Sequence, residues 1–156
     1  MRTGKRNSFF FIFLLSTFVT SAQQQRSLPV REPDYSKPLL FADLPDTIAC
    51  DINSLSSLLT LTEGRQVEKE IAGNFRFKGD VTSFSKREND HITGVTLRSS
   101  NYEGAILNLV KITGPGKEIR YTGRIVSLTH GDALELIKEG NQYYFIKKGF
   151  YDMINE

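Results

Sequence analysis

Two histidines, each close to an aspartate, are the residues of this 156-residue sequence best suited to metal chemistry. They are His91 beside Asp90 and His130 near Asp132. Two imidazoles and a carboxylate can hold a metal ion and leave one position open for water. Their spacing matches no compact ligand motif such as His-Glu-x-x-His, and aspartate is common at turns because it bonds its own backbone. We therefore expect surface turn residues, with no metal and no cofactor.

The segment Thr129–Asp132 places a hydroxyl, an imidazole and a carboxylate next to one another in sequence. Neighbours on a tight turn rarely face each other, whereas an acid–base relay needs side chains within hydrogen-bond reach. We expect a glycine turn in which Asp132 bonds to backbone amides and His130 caps the end of a sheet. A thiol hydrolase would require Cys50 to meet His130 and Asp132 in space.

Cys50 is the only cysteine and cannot form an intramolecular disulfide. The nearby carboxylates of Asp46 and Asp51 disfavour a thiolate, so the sequence predicts a buried, unreactive side chain. No Walker pattern or Gly-x-Gly-x-x-Gly motif occurs, which excludes the usual nucleotide-binding loops. We expect no catalytic residue. The enzymatic alternative is a small exported hydrolase, either metal-dependent through His91 and His130 or thiol-based through Cys50.

Several cationic and aromatic residues are candidates for recognition. Because Trp is absent, sugar stacking would depend on exposed Tyr or Phe rings such as Tyr102 and Tyr144. Five basic residues are predicted to point outward from the sheet: Arg76, Lys78, Arg98, Arg120 and Arg124. The predicted binding surface comprises Tyr102, Tyr144, Arg120 and Arg124. Another exported protein is the expected partner, with a polysaccharide as the alternative.

The first 22 residues have the three parts of an export signal. Basic residues at positions 2, 5 and 6 precede the apolar run Phe9–Val19, and small residues follow up to Ala22. The run is shorter than the ~20 residues that a membrane-spanning helix needs. We expect cleavage near Ala22, a secreted or periplasmic location and no stable membrane insertion. Removing the three basic residues leaves a nearly neutral chain, which argues against nucleic-acid binding.

Residues 23–50 hold four of the five prolines and are predicted to form an extended linker. The segment is expected to be either a spacer or a strap that binds a partner. Deleting residues 23–45 is then expected to weaken partner capture and to leave the fold intact. The folded domain is predicted to span residues 51–156.

Within that domain, apolar spacing at Ile52, Leu55, Leu58 and Leu59 predicts one short N-terminal helix over 51–61, with Asp51 or Asn53 as its N-cap. The period then changes to two, with recurring turn signals, which indicates an antiparallel sheet. A Pro-Gly type II turn is expected at 114–117 and a tight Gly-Asn hairpin at 139–142. Parity breaks at Phe84 and at Val126 predict two β-bulges. Predicted strands cover 73–84, 92–98, 105–112, 119–128, 133–137 and 143–147.

The sequence thus predicts a mainly β protein: a small antiparallel β-barrel-like or sandwich domain with one short N-terminal helix. Curvature is expected because both parity breaks lie near glycines. The predicted function is that of an exported, non-catalytic binding or accessory module, inhibitor-like or prodomain-like, that acts through a protein surface. A glycan-binding module is a further alternative.

Overall fold

The computed structural model describes residues 33–72 and 75–154. The predicted signal peptide, its cleavage site and residues 23–32 of the predicted linker lie outside the described residues. The strands are β1 (Thr47–Cys50), β2 (Gln66–Ala72), β3 (Phe75–Arg87), β4 (Ile92–Ser99), β5 (Ala105–Thr113), β6 (Ile119–Ser127), β7 (Asp132–Glu139) and β8 (Gln142–Gly149), and the helices are α1 (Ile52–Leu58) and α2 (Phe150–Ile154).

All eight strands form one antiparallel sheet in the order β1-β8-β7-β6-β5-β4-β3-β2. Each strand from β2 to β7 pairs with the next one in sequence, and β1 pairs with β8. The sheet curls into a half-barrel, which brings Cα atoms of the edge strands β1 and β2 within 8 Å of each other. The mainly β, barrel-like prediction is confirmed. The sandwich alternative is excluded because the strands form a single sheet.

Two β-bulges help the sheet to curl. One lies in β3, where the register against β4 shifts between Val81 and Ser83, and the other lies in β2 between Glu70 and Ala72. A bulge adds local twist and bends its strand. The β3 bulge agrees with the predicted parity break.

The second predicted bulge, in β6, is wrong. The register between β5 and β6 runs without a shift from Ala105 opposite Ser127 to Thr113 opposite Ile119. Ser127 therefore points inward and is buried, whereas Leu128 is 74% exposed. The hydroxyl can occupy an inward position because it is hydrogen-bonded there.

Helix α1 is shorter than predicted. Asp51 caps it by accepting a hydrogen bond from the Ser54 amide at 2.9 Å. That hydrogen bond lowers the pKa of the Asp51 carboxyl. The helix buries Leu55 and Leu58 and ends there, because serine and threonine are weak helix formers.

The two predicted turns have different outcomes. The hairpin between β7 and β8 has a two-residue loop with Gly140 at φ +59°, as expected. In the loop before β6, the Lys117 amide donates to the Gly114 carbonyl at 2.9 Å, but the positive φ of +64° falls on Lys117. A type II turn needs a positive φ at Gly116, so that prediction is wrong.

The described part of the predicted linker belongs to the folded unit. The compact unit begins at Pro33, residues 47–50 form β1, and Phe41 is only 1% exposed. The domain therefore starts earlier than residue 51. Prolines at 38 and 45 are accommodated because they lie outside the paired strand. We call residues 37–46 the N-terminal strap.

Candidate functional site

The two histidines lie at opposite ends of the sheet. His91 precedes β4 and His130 precedes β7, and alternate antiparallel strands place these two starts at opposite ends. An eight-residue strand is roughly 25 Å long, so the two imidazoles cannot share a metal ion. We call these ends the His91 end and the His130 end.

The two candidate metal ligands at the His91 end each have another neighbour. His91 Nδ1 lies 3.1 Å from the Thr113 carbonyl oxygen, and Asp90 pairs with Lys86 at 3.0 Å. Among residues 33–72 and 75–154, no three His, Cys, Asp or Glu side chains are grouped as a metal would need. The metal-dependent alternative is not supported by this geometry.

His130 belongs to a hydroxyl cluster that the sequence analysis missed. Its Nδ1 lies 2.8 Å from Ser127 Oγ and 3.1 Å from Thr129 Oγ1. Ser127 is 1% exposed, and its hydroxyl also lies 3.3 Å from the Glu103 carbonyl oxygen. A buried serine cannot reach a substrate, so this Ser–His pair holds the loop between β6 and β7. The inward parity of Ser127 on β6 was the signal that could have revealed it.

Asp132 binds the N-terminal strap. Its two carboxylate oxygens accept hydrogen bonds from the Leu40 amide at 2.6 Å and the Phe41 amide at 2.8 Å. The prediction that Asp132 bonds to backbone amides is confirmed, although the amides belong to a segment distant in sequence. Because Asp132 and His130 have different partners, the residues 129–132 do not form a catalytic relay.

Cys50 is buried in the core, which argues against the thiol-based hydrolase alternative. The side chain is 1% exposed, and burial raises the pKa of its thiol to about 11. A neutral, enclosed thiol is a poor nucleophile.

Because the buried Cys50 thiol ionises less readily than the unfolded one, the protein is expected to lose stability at alkaline pH. The unfolded thiol has a pKa of 9.0 and the folded one about 11, so its contribution is complete below pH 9 and is lost as pH rises through 11. Between pH 8 and 11, wild type should lose about 2 kcal/mol more unfolding free energy than Cys50→Ala. Urea titrations of both proteins at the two pH values measure the difference. Equal losses would contradict it, since all other titrating groups are shared.

The predicted surface tyrosines do not lie on one face. Tyr102 is half-buried and packs against Phe41, Phe75 and Phe77 at ring-centroid distances of 5.4, 5.6 and 6.5 Å. Burial raises the pKa of its hydroxyl. Tyr144 is half-exposed on the outer side of β8, opposite Ile137. Tyr102 therefore packs against the core through its ring, which is not free to act as a sugar platform.

The predicted basic residues all point outward, but ion pairs divide them into two groups. Glu68 pairs with Arg76 at 3.2 Å and with Lys78 at 3.0 Å. These pairs lower the pKa of the Glu68 carboxyl, the hydrogen bond from Lys78 having the largest effect. By contrast, Arg98, Arg120 and Arg124 make no ion pair within the described part of the chain.

The three unpaired arginines surround exposed aliphatic side chains on the outer side of β4, β5 and β6. Ile106 is 40% exposed and Ile112 is 38% exposed. The register places Ile92 beside Ile112 and Val126 beside Ile106. We call this surface the outer face. It comprises Ile92, Arg98, Ile106, Val110, Ile112, Arg120, Arg124 and Val126.

Comparisons with known proteins give no match: no protein-family model, no curated protein and no solved structure resembles the chain. No helix in residues 33–72 and 75–154 has the length and apolar character that crossing a bilayer requires.

Proposed function

We propose that this protein is an exported, non-catalytic accessory module, inhibitor-like or prodomain-like, that binds another exported protein through its outer face. The observation that carries the proposal is the group of exposed isoleucines bordered by unpaired arginines on β4, β5 and β6. Arg120 and Arg124 belong to the binding surface expected from the sequence. The isoleucines extend that surface.

The aliphatic part of the outer face lies on both sides of a polar row, in which Asn108 donates to Thr96 and is opposite Arg124. Along β5, Ile106, Val110 and Ile112 all point outward, and cross-strand neighbours from β4 and β6 lie beside two of them. Single exposed aliphatic residues are common on protein surfaces, whereas groups of them rimmed by polar residues are typical of interaction sites. Burying them against a partner would recover roughly 25 cal/mol for each Å² of apolar surface.

The arginines suggest the chemistry of the partner. Arginine is enriched in protein interfaces, and its planar guanidinium binds carboxylates with two parallel hydrogen bonds. Since Arg98, Arg120 and Arg124 have no internal ion pair among the described residues, acidic groups on a partner can bind them without displacing an existing contact. We infer a partner surface with an apolar centre and an acidic border.

Reversing one charge on the outer face is expected to weaken partner capture at least about tenfold. Arg124→Glu would place a carboxylate against the partner's acidic border, and like charges at an interface cost several kcal/mol. Immobilised protein would be incubated with exported proteins from its own organism, and the bound species quantified by mass spectrometry. Arg65→Glu is the matched control, because it makes the same charge change at an exposed position just before β2.

Capture by wild type, Arg124→Glu and Arg65→Glu has distinguishable outcomes. A species lost with Arg124→Glu but retained with Arg65→Glu supports the outer face. Equal capture by wild type and both variants would overturn the proposal.

The proposed export is tested by a separate measurement: the intact mass of the exported protein should show that residues 1–22 are absent.

The hypothesis that the predicted linker binds a partner needs a different deletion from residues 23–45. Removing residues 23–45 would also remove Phe41, which is buried in the core. Deleting residues 23–32 leaves the described fold whole and tests whether that segment contributes to capture.

A further inference from the structure

The cleft at the His91 end begins where β6 and β7 separate. These two strands pair only from Gly123 opposite Leu136 to Val126 opposite Ala133. Beyond this pairing, the backbone amide of Tyr121 lacks a partner on β7. It donates instead to the Tyr143 hydroxyl at 3.0 Å. A side chain from β8 therefore takes the place of a ladder hydrogen bond, and the strands remain apart.

The cleft that results has a volume of about 300 Å³ and is lined by Ile52, Ile119, Tyr121, Lys138, Asn141 and Tyr143. We call it the Tyr121 cleft. Its aromatic wall is held in position, because the Tyr121 and Tyr143 rings meet edge to face at 5.4 Å. Ile119 is 49% exposed, so this apolar wall is open to a ligand.

Lys138 is the charged residue among those that line the Tyr121 cleft. Lys138 Nζ lies 5.9 Å from the centre of the Tyr143 ring, and Lys111 is the cross-strand neighbour of Tyr121. In the described ranges neither lysine forms an ion pair. No carboxylate is among the residues that line the cleft: Asp51 is bonded to the first turn of α1, and Glu118 lies over Gly114 and Gly116.

We propose that the Tyr121 cleft binds a small aromatic carboxylate, with its ring between Ile119 and the tyrosines and its carboxylate at Lys138 and Asn141. A cavity of roughly 150 Å³ holds benzene, so about twice that volume accommodates a ring with a short acidic chain. Apolar walls with a few polar groups at a barrel mouth are typical of small-molecule sites. The site does not use the outer face and is independent of the proposed function.

The molecule has a second cleft that serves as a contrast. Its volume is about 350 Å³, and it lies between β2 and β3 near Glu68, Lys78 and Asp80. There the ammonium of Lys78 is already paired with Glu68 at 3.0 Å. An anion at that position would have to displace a carboxylate, which the Tyr121 cleft does not require.

Titration with 3-phenylpropanoate tests the proposal. We expect saturable binding to the full chain by calorimetry, and shifts of the Tyr121, Tyr143 and Asn141 resonances by nuclear magnetic resonance. The neutral 3-phenylpropanamide should bind about tenfold more weakly, the effect of losing one charge-assisted hydrogen bond. Absence of saturation at millimolar concentration, or resonance shifts confined to other residues, would overturn the site.

Two variants and one control test which residues of the Tyr121 cleft contact the carboxylate and which contact the ring. Lys138→Gln should weaken the acid about tenfold and remove its advantage over the amide. Ile119→Ser should weaken both ligands equally, because it removes apolar contact and leaves the charge. Lys78→Gln makes the same charge change as Lys138→Gln and should alter neither affinity. Equal binding of acid and amide to wild type, or unchanged affinity in Lys138→Gln, would contradict the proposed contacts.

Discussion

Replacing Phe41 with alanine is expected to lower the free energy of unfolding by about 3–5 kcal/mol. Phe41 is 1% exposed, and its ring lies 5.4 Å from that of Tyr102 in an aromatic cluster that also contains Phe75. Truncation would leave a cavity at the His130 end that the surrounding β-strands cannot easily fill. Urea denaturation followed by far-ultraviolet circular dichroism measures the change.

Leu39→Ala is the matched control for Phe41→Ala. Leu39 lies in the same N-terminal strap but is 60% exposed, so its truncation should change stability by less than about 0.5 kcal/mol. Phe41→Leu should fall between wild type and Phe41→Ala, since it keeps most of the apolar volume. Similar stability of Phe41→Ala and Leu39→Ala would show that the strap does not belong to the core.

Replacing Asp132 with asparagine is expected to cost about 3 kcal/mol, although the side chain keeps its shape. The carboxylate accepts from the Leu40 and Phe41 amides at once. Asparagine offers one acceptor and turns an NH₂ group toward the other backbone donor, so at least one hydrogen bond to a charged group is lost. Thermal and urea unfolding of the variant measure the cost.

Two further variants make this experiment specific. Asp90→Asn removes an exposed ion pair with Lys86 and should change stability by less than about 1 kcal/mol. The double variant Asp132→Asn/Phe41→Ala should be less destabilised than the sum of the single variants, because both act on the same strap. Simple additivity would mean that the carboxylate and the ring hold the strap independently.

Local patterns predicted much of the sheet. Alternation of apolar and polar residues identified β3, β4 and β6, because successive side chains of a strand point to opposite faces. A continuous apolar run identified β5, and the Gly-Asn turn identified β7 and β8. The Gly140-Asn141 hairpin followed from the backbone freedom of glycine. The capping role of Asp51 followed from the preference for aspartate at helix N-caps. These features depend on residues that are close in sequence.

The candidate surfaces were only partly predictable. The outward direction of Arg120 and Arg124 followed from alternation along β6. Alternation does not show which charges are paired. The register of β2 against β3 was needed to show that Arg76 and Lys78 form ion pairs with Glu68. The Tyr121 cleft was not foreseen, since it results from the point at which β6 and β7 separate.

The sequence by itself determined that this chain forms a curved antiparallel sheet with a short capped helix, because side-chain periodicity and turn chemistry are local properties. The tertiary structure alone decided that residues 33–50 belong to the domain. The contact of Asp132 with Leu40 joins positions 92 residues apart, and β1 pairs with the last strand of the sheet. Such contacts depend on how the whole sheet curls, and a proline-containing segment carries no local periodic signal that predicts them.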